Sequence, residues 1–256
     1  MFRILVLGSG TSVGVPTIGC DCSVCTSDDP RDRRLRCSIL IHHGQQNLVV
    51  DTTPDFRQQM LRAGVRSLDA VLMTHAHADH IMGLDDLRPF NYRRREPIPI
   101  LGSPETLASI RRSFPYIFDG REKESSVPKL DLRDLTGDPF ELCGLRITPV
   151  PLEHGSMTVY GFRIGNAAYL TDHSGIPEES LAKLEGLDVL FLDALRYKPH
   201  PTHSTIEQSL ASVARLAPRR AFFTHICHDL SHARTEAMLP PHVRLAYDGL
   251  ELEVES

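Results

Sequence analysis

No apolar run in the 256-residue chain approaches the ~20 residues that a membrane-spanning helix needs. The N-terminal MFRILVLGSG carries a short apolar stretch with no small-residue cleavage site after it, so it reads as a first strand and not as a signal peptide. Basic residues are not in excess. Lys and Arg number 28 against 33 Asp and Glu, a net charge of −5, and the pI is near 6.2. That balance argues against a general nucleic-acid coat. Internal repeats, low-complexity tracts and a Pro/Gly/Ser-rich linker are missing as well. With 41% hydrophobic and 24% charged residues, disorder and fibrous repeats are excluded. One globular domain over residues 1–256 is the expectation, in the cytoplasm and away from membranes.

Histidine and cysteine are what the chain has in quantity. Thirteen His is high for this length, and three of the six Cys fall at Cys20, Cys22 and Cys25. Without a secretion signal, such clusters more often bind metal than form disulfides.

The apolar pattern predicts strands at 2–7, 37–42, 47–51, 70–75, 98–103, 140–152, 159–165, 167–172, 188–195 and 220–225. Helices are predicted at 55–64, 79–92, 104–114, 177–185 and 204–216, with 116–130 irregular. A hairpin around Asp248-Gly249 is expected to close the chain. Strand runs in both halves with helices between them fit an α/β sandwich, two packed mixed sheets with helices on the outer faces. Residues 11–36 read as a polar loop bearing Arg31, Arg33, Arg34 and Arg36.

Thr74-His75-Ala76-His77-Ala78-Asp79-His80 is the strongest signal. Four metal-ligand side chains fall within six residues directly after an apolar strand. Imidazole nitrogen with carboxylate oxygen suits Zn, Mn or Fe. One short loop rarely completes a hydrolytic site, so further ligands are expected at other strand ends. His154, Asp172 and His225 each end an apolar run.

These residues resemble the metal motif of the metallo-β-lactamase superfamily of hydrolases, and the resemblance runs from Leu7-Gly8-Ser9-Gly10-Thr11 to Phe223-Thr224-His225. It implies the αββα sandwich of that superfamily. His75, His77 and His154 would hold one metal; Asp79, His80 and His225 would hold a second, with Asp172 bridging. Asp51 would orient the metal loop from behind. Two cations about 3.5–4 Å apart would lower the pKa of a bridging water and neutralise the oxygens of a phosphate ester. His203 is the candidate general acid, with Asp79 counted beside it in the catalytic machinery, and His200 competes for the acid role. Arg196 and Lys198, in the same loop as His200, are candidate substrate contacts.

The Cys20-x-Cys22-x-x-Cys25 arrangement resembles one subgroup, the phosphoribosyl 1,2-cyclic phosphate phosphodiesterases of the carbon–phosphorus lyase pathway. There, three cysteines bind a structural zinc with a histidine three positions after the last active-site histidine. Here that is His228, with Cys227 as the alternative fourth ligand. Cys37 and Cys143 sit in apolar strand patterns and are expected in the core. A homodimer is implied by the same resemblance.

The leading expectation is a metal-dependent phosphodiesterase for a small, possibly cyclic, phosphate diester. The alternatives are a tRNA 3′-processing endonuclease-like ribonuclease or a glyoxalase II-type thioester hydrolase, with β-lactam hydrolysis and a non-catalytic metal-sensing module behind them. The endonucleases carry a long insertion between the ligands matching His154 and Asp172, where this chain has 17 residues. Gly8-x-Gly10-x-x-x-Gly14 looks like a dinucleotide fingerprint, but its third Gly is one place late and Pro16 and the Cys cluster follow it, so a nicotinamide or flavin site is rejected. Arg93-Arg94-Arg95 and Arg111-Arg112 read as solvated surface.

Overall fold

The computed structural model describes residues 1–94, 96–121 and 126–255; Arg95, in the first basic stretch, lies outside them. Among the described residues, fourteen strands form two seven-stranded sheets. The first holds β1 (Phe2–Gly8), β2 (Ser38–His43), β3 (Gln46–Val50), β4 (Ala70–Leu72), β5 (Ile98–Gly102) and β6 (Leu130–Asp134) in chain order, with β14 (Glu251–Val254) added beside β1. The second runs from β7 (Phe140–Leu142) through β8 (Leu145–His154), β9 (Met157–Ile164), β10 (Ala167–Leu170), β11 (Val189–Asp193) and β12 (Arg220–Thr224) to β13 (Val243–Leu245). Each sheet begins antiparallel and turns parallel, from β3 to β6 and from β10 to β13.

Alternation along the strands builds the layers. In β11, Val189 and Phe191 face the core between the sheets, packed with Ile4, Ile41, Ile147 and Phe162. Leu190 and Leu192 point to the other face, where Ile206 and Val213 of α7 (Ile206–Leu216) cover them. The first sheet is covered in the same way by Phe56 and Met60 of α1 (Phe56–Arg62) and by Leu107 and Ile110 of α4 (Pro104–Ser113). The result is the αββα sandwich, of α/β class. Shorter helices are α2 (Ala78–Ile81), α3 (Arg88–Asn91), α5 (Pro115–Phe118), α6 (Glu178–Leu181) and α8 (His232–Glu236).

Three expectations need correction. The chain does not close in a hairpin: β13 pairs with β12 in the second sheet, and β14 pairs with β1 in the first. Asp248 accepts hydrogen bonds from Ser9 N (2.9 Å), Ser9 Oγ (2.9 Å) and Leu35 N (2.9 Å), which redirects the chain from one sheet to the other. The segment 79–92 is not one helix but α2, a 3₁₀ turn at Leu84–Leu87 and α3, divided at Gly83. The irregular stretch 116–130 ends in the start of strand β6, and α5 enters it from Pro115.

The 11–36 loop is tied down and not freely solvated. Arg34 is 1% exposed. Its guanidinium pairs with Asp32 Oδ1 at 2.8 Å and donates to Cys227 O (2.9 Å) and Leu230 O (2.7 Å). Gly8 and Gly10 make this possible: a Cβ at Gly8 would stand 2.0 Å from Arg36 O, and one at Gly10 2.8 Å from Arg34 Cβ. These glycines admit the loop's backbone against β1, which accounts for a spacing that looked like a nucleotide motif.

Among the described residues no helix is long and apolar enough to cross a membrane.

Candidate metal centre

The parallel strands of both sheets end at one rim, where open α/β sheets place their sites. Asp51 follows β3, the His75–His80 loop follows β4, His154 ends β8, Asp172 follows β10, Asp193 ends β11 and His225 follows β12. Asp51, Asp172 and His225 have φ of 65°, 54° and 57°, the left-handed region that L-residues seldom occupy. Residues held there cluster at functional sites. Here the turn sets in immediately after each strand.

The imidazoles fall into two groups. Ligand atoms of His75, His77 and His154 lie within 4.8 Å of one another, and so do those of Cys37, His80, Asp172 and His225. Asp172 Oδ2 is 3.3 Å from His80 Nε2, 3.2 Å from His225 Nε2 and 4.0 Å from His75 Nε2. Asp79 Oδ2 is 3.2 Å from His80 Nε2 and 3.8 Å from His225 Nε2.

The second layer fixes the rings. Asp51 is fully buried; its carboxylate accepts from Thr74 N (2.8 Å), Thr74 Oγ1 (2.8 Å) and His80 Nδ1 (2.7 Å). His154 Nδ1 donates to Thr202 O at 2.8 Å. In both rings the opposite nitrogen, Nε2, is left toward the cluster.

Four carboxylates, Asp51, Asp79, Asp172 and Asp193, sit in this small volume, and none has a Lys or Arg partner among the described residues. Burial alone would raise Asp172, but the charges of His225 and His80 outweigh it and hold the carboxyl well below its usual range. Asp79 behaves the same way, pulled down against burial chiefly by His80. Burial would lower His80 and His225; Asp172, with Asp51 and Asp79, holds His80 well above its ordinary value, and Asp172 and Asp79 raise His225 to about 9. His75 has less carboxylate near it and is driven well below by burial.

The residues fit divalent metal. His80 Nε2 and His225 Nε2 are buried with no hydrogen-bond partner, yet both point at one carboxylate oxygen. Ligand atoms about 2.0–2.1 Å from a tetrahedral ion lie roughly 3.3–3.4 Å apart, close to the spacings found here.

His203 stands at the mouth of the cluster. Its ring is 4.8 Å from that of His154 and 4.5 Å from that of His225, stacked on the latter at 11°. Asp193 Oδ2 accepts from its Nδ1 at 2.7 Å and also takes His173 N at 3.0 Å. His200 is more peripheral, its Nδ1 engaged by Thr202 N (3.3 Å) and Thr202 Oγ1 (3.2 Å). Arg196 folds back onto its own loop, donating to Lys198 O and Pro199 O at 3.1 Å each, and Lys198 is exposed.

A second cluster lies on the 11–36 loop. Sγ of Cys20, Cys22 and Cys25 stand 3.2, 3.6 and 3.4 Å from His228 Nδ1. Cys227 is separate: its sulfur accepts from Asp229 N at 3.4 Å. The Cys25 backbone N–H lowers the Cys22 thiol to about 6, whereas burial pushes Cys25 up to about 11. Among the described residues every cysteine is free of disulfides.

The sequence reading did not single out Asp193, Thr74, His173 or the proximity of Cys37. Asp193 had a visible signal, since it ends an apolar strand as Asp172 does. Cys37, expected only in the core, is indeed buried but also lies 3.3 Å from Thr171 Oγ1 and 3.8 Å from Asp172 Oδ1.

Comparison with known proteins places these features in a family. Residues 46–226 match the model of the β-lactamase superfamily domain. An octanoyltransferase of Porphyromonas gingivalis (strain ATCC BAA-308 / W83) is 40% identical over 99% of this chain but only 52% of its own length, so the chain spans about half of that relative. A crystal structure of a diphosphatase from the PhnP family is 47% identical, with a TM-score of 0.94, covering 100% of this chain and 98% of that one. Zn²⁺-bound PqqB from Methylobacterium extorquens is 25% identical, with a TM-score of 0.76 over 98% of this chain and 100% of its own.

Proposed function

The chain belongs to the β-lactamase superfamily as a metal-dependent hydrolase close to the PhnP family, and from that premise we propose that it is a dinuclear phosphodiesterase acting on a small phosphate diester. His75, His77 and His154 would hold one ion, Asp79, His80 and His225 the other, and Asp172 would lie between them. The observation that carries this reading is the Asp193–His203 pair set against the ligand rings. A thioester or lactam hydrolase has less need of an added proton donor there.

Bound divalent cations supply Lewis acidity toward phosphoryl oxygens and bring the pKa of water near neutrality. The chain's own residues do the rest. Asp51 and Thr202 O hold His80 and His154 in the tautomer that presents Nε2. Asp193 accepts the hydrogen bond of His203 Nδ1–H and so turns Nε2 toward the ligand rings, from where a proton on Nε2 would pass to the departing alkoxide oxygen as the P–O bond breaks. Among the described residues no carboxylate hydrogen-bonds to the His200 ring, which favours His203 as the acid.

The cysteine cluster with His228 is assigned as a structural zinc site, its S–N spacings near the roughly 3.5 Å expected for Zn–S of about 2.3 Å and Zn–N of about 2.0 Å. It would hold the loop beside the active centre.

A second reading keeps the same residues but moves the scissile bond to a phosphoanhydride, favoured by the similarity to a protein described as a diphosphatase. The test is hydrolysis of bis(p-nitrophenyl) phosphate by Mn²⁺-loaded protein, run beside ADP-ribose. Chelator-sensitive release of nitrophenol supports the diester reading. Cleavage of ADP-ribose alone moves the assignment to the anhydride, and inactivity on both with metal bound overturns it.

A further inference from the structure

Away from the metal centre, a cavity of about 490 Å³ opens where the start of β8 and the end of β9 meet the 3₁₀ turn Ala182–Leu184 that follows α6. Its polar lining is Arg146, Thr148, Arg163, Asn166 and Lys183, and no residue of either metal cluster takes part. Ile147 and Ile164 turn into the core between the sheets, so Arg146, Thr148 and Arg163 project from the outer face. Thr148 and His154 lie six positions apart on β8, which separates the cavity from the ligand rings by about 20 Å along the strand.

Two of the three cations are held by backbone carbonyls. Arg163 Nε donates to Gly165 O (2.9 Å), and its Nη1 donates to Lys183 O (2.9 Å) and Glu185 O (2.8 Å). Lys183 Nζ donates to Pro149 O (3.0 Å) and Gly137 O (3.3 Å). Carbonyls orient these groups without neutralising them. Glu141 stands opposite Arg146 in the β7–β8 ladder, but among the described residues none of the three cations forms an ion pair, and no carboxylate lines the cavity.

The donors left over can be counted. Arg163 keeps Nη2, Lys183 keeps one N–H, and the Arg146 guanidinium keeps its full fork. The Asn166 amide and the Thr148 hydroxyl add polar groups without a described partner. Three like charges in one recess repel one another, and an anion between them removes that repulsion. The chain as a whole is acidic, at −5, so this concentration of positive charge runs against its composition. Donors arriving from two strands and a turn exceed what the two oxygens of a single carboxylate accept, whereas the oxygens of a phosphate group accept from several directions. The volume falls in the range of small-ligand pockets.

We propose that this cavity is a second anion site, taking a multiply charged phosphate-type oxyanion such as a diphosphate, separate from the reacting group. Arg146 supplies the bidentate contact, and Arg163 and Lys183 supply fixed charge from the opposite walls. The site does not depend on which bond the metal centre breaks.

The test is equilibrium dialysis of zinc-loaded protein against labelled methylenediphosphonate, a diphosphate analogue whose P–C–P bridge a hydrolase leaves intact, with bound probe and retained zinc counted per chain. Wild type should hold one molecule more than Arg146→Glu, in which that molecule binds at least about tenfold more weakly, the scale of a lost charge-assisted contact. Arg146→Lys, which keeps the charge, should stay within about fivefold of wild type. Arg66→Glu, a charge reversal outside the cavity, should bind as wild type does. Equal binding by wild type and Arg146→Glu overturns the site. So does an equal loss in Arg66→Glu, which would mark diffuse attraction to the surface. Zinc lost from Arg146→Glu in step with the probe would place the probe on the metals and overturn the site as well. Excess succinate should leave the Arg146-dependent molecule bound, and its displacement overturns the phosphate assignment.

Discussion

Asp193 Oδ2 sits 2.7 Å from His203 Nδ1, and the same oxygen takes the backbone N–H of His173 at 3.0 Å. The carboxylate is wholly buried at the end of β11. It therefore fixes one ring and one turn of the site together.

His203→Ala should keep both active-site metals and slow diesters with poor leaving groups by ~10²–10⁴ in kcat, since the lost step is protonation of the departing oxygen. Nitrophenolate needs little protonation, so its esters should lose far less. Metal content and a leaving-group series on one preparation decide it; a uniform loss across leaving groups would remove the acid role. Asp193→Asn should follow the same pattern with a smaller loss, because the ring remains but no carboxylate holds its Nδ1–H and aims Nε2.

Asp51→Ala should cost about 10–100-fold in affinity for the metal near His80, because His80 Nδ1 and the Thr74 backbone both hang on this carboxylate. The affinity of the His75/His77/His154 set should change less. Competitive chelator titration resolving the two ions checks this, and equal weakening of both would contradict the separate roles of the two groups.

How much of this was legible depended on how densely the signal was packed. His75, His77, Asp79 and His80 stand out because four ligands in six positions rarely serve a surface loop. His154, Asp172 and His225 could be found because each ends an apolar run. Asp193 sits in the same topological place, but a lone Asp after VLFL has no histidine beside it in sequence to mark it. Arg34 was hidden by its company, since an arginine among Arg31, Arg33 and Arg36 reads as solvated surface and its carbonyl partners come from residues 227 and 230. The left-handed turns at Asp51, Asp172 and His225 leave no compositional trace, because no Gly or Asn stands there. The Asp248-Gly249 turn misled because turn chemistry is local, whereas the choice of sheet for β13 and β14 rests on Ser9 and Leu35.

Arg34→Met should destabilise the fold by about 3–5 kcal/mol, as expected when one partner of a buried ion pair is removed and Asp32 is left unpaired. Its guanidinium ties the loop to Cys227 O and Leu230 O on either side of His228, so the variant should also lose zinc from the cysteine cluster. Denaturant unfolding with zinc analysis checks both. Arg34→Met combined with Asp32→Asn should recover part of the stability, because no bare charge then remains buried.

Metal removal separates the two centres. Cys22→Ser should lose about one zinc per chain and some stability while the histidine cluster keeps its ions. A ligand that binds only the folded state stabilises it by about 4 kcal/mol at a thousandfold excess over Kd, and for a chain of this length each kcal/mol moves Tm by roughly 2–4 °C. Chelator should therefore lower the Tm of wild type further than that of Cys22→Ser, whose cysteine contribution is already gone. Re-addition of Mn²⁺ should restore activity to both proteins, and the starting Tm to Cys22→Ser but not to wild type, since the thiolate site calls for zinc. If chelator shifts both proteins equally and the zinc content of Cys22→Ser matches wild type, Cys20, Cys22, Cys25 and His228 hold no metal, and the loop is secured by Arg34 and the β1 glycines alone.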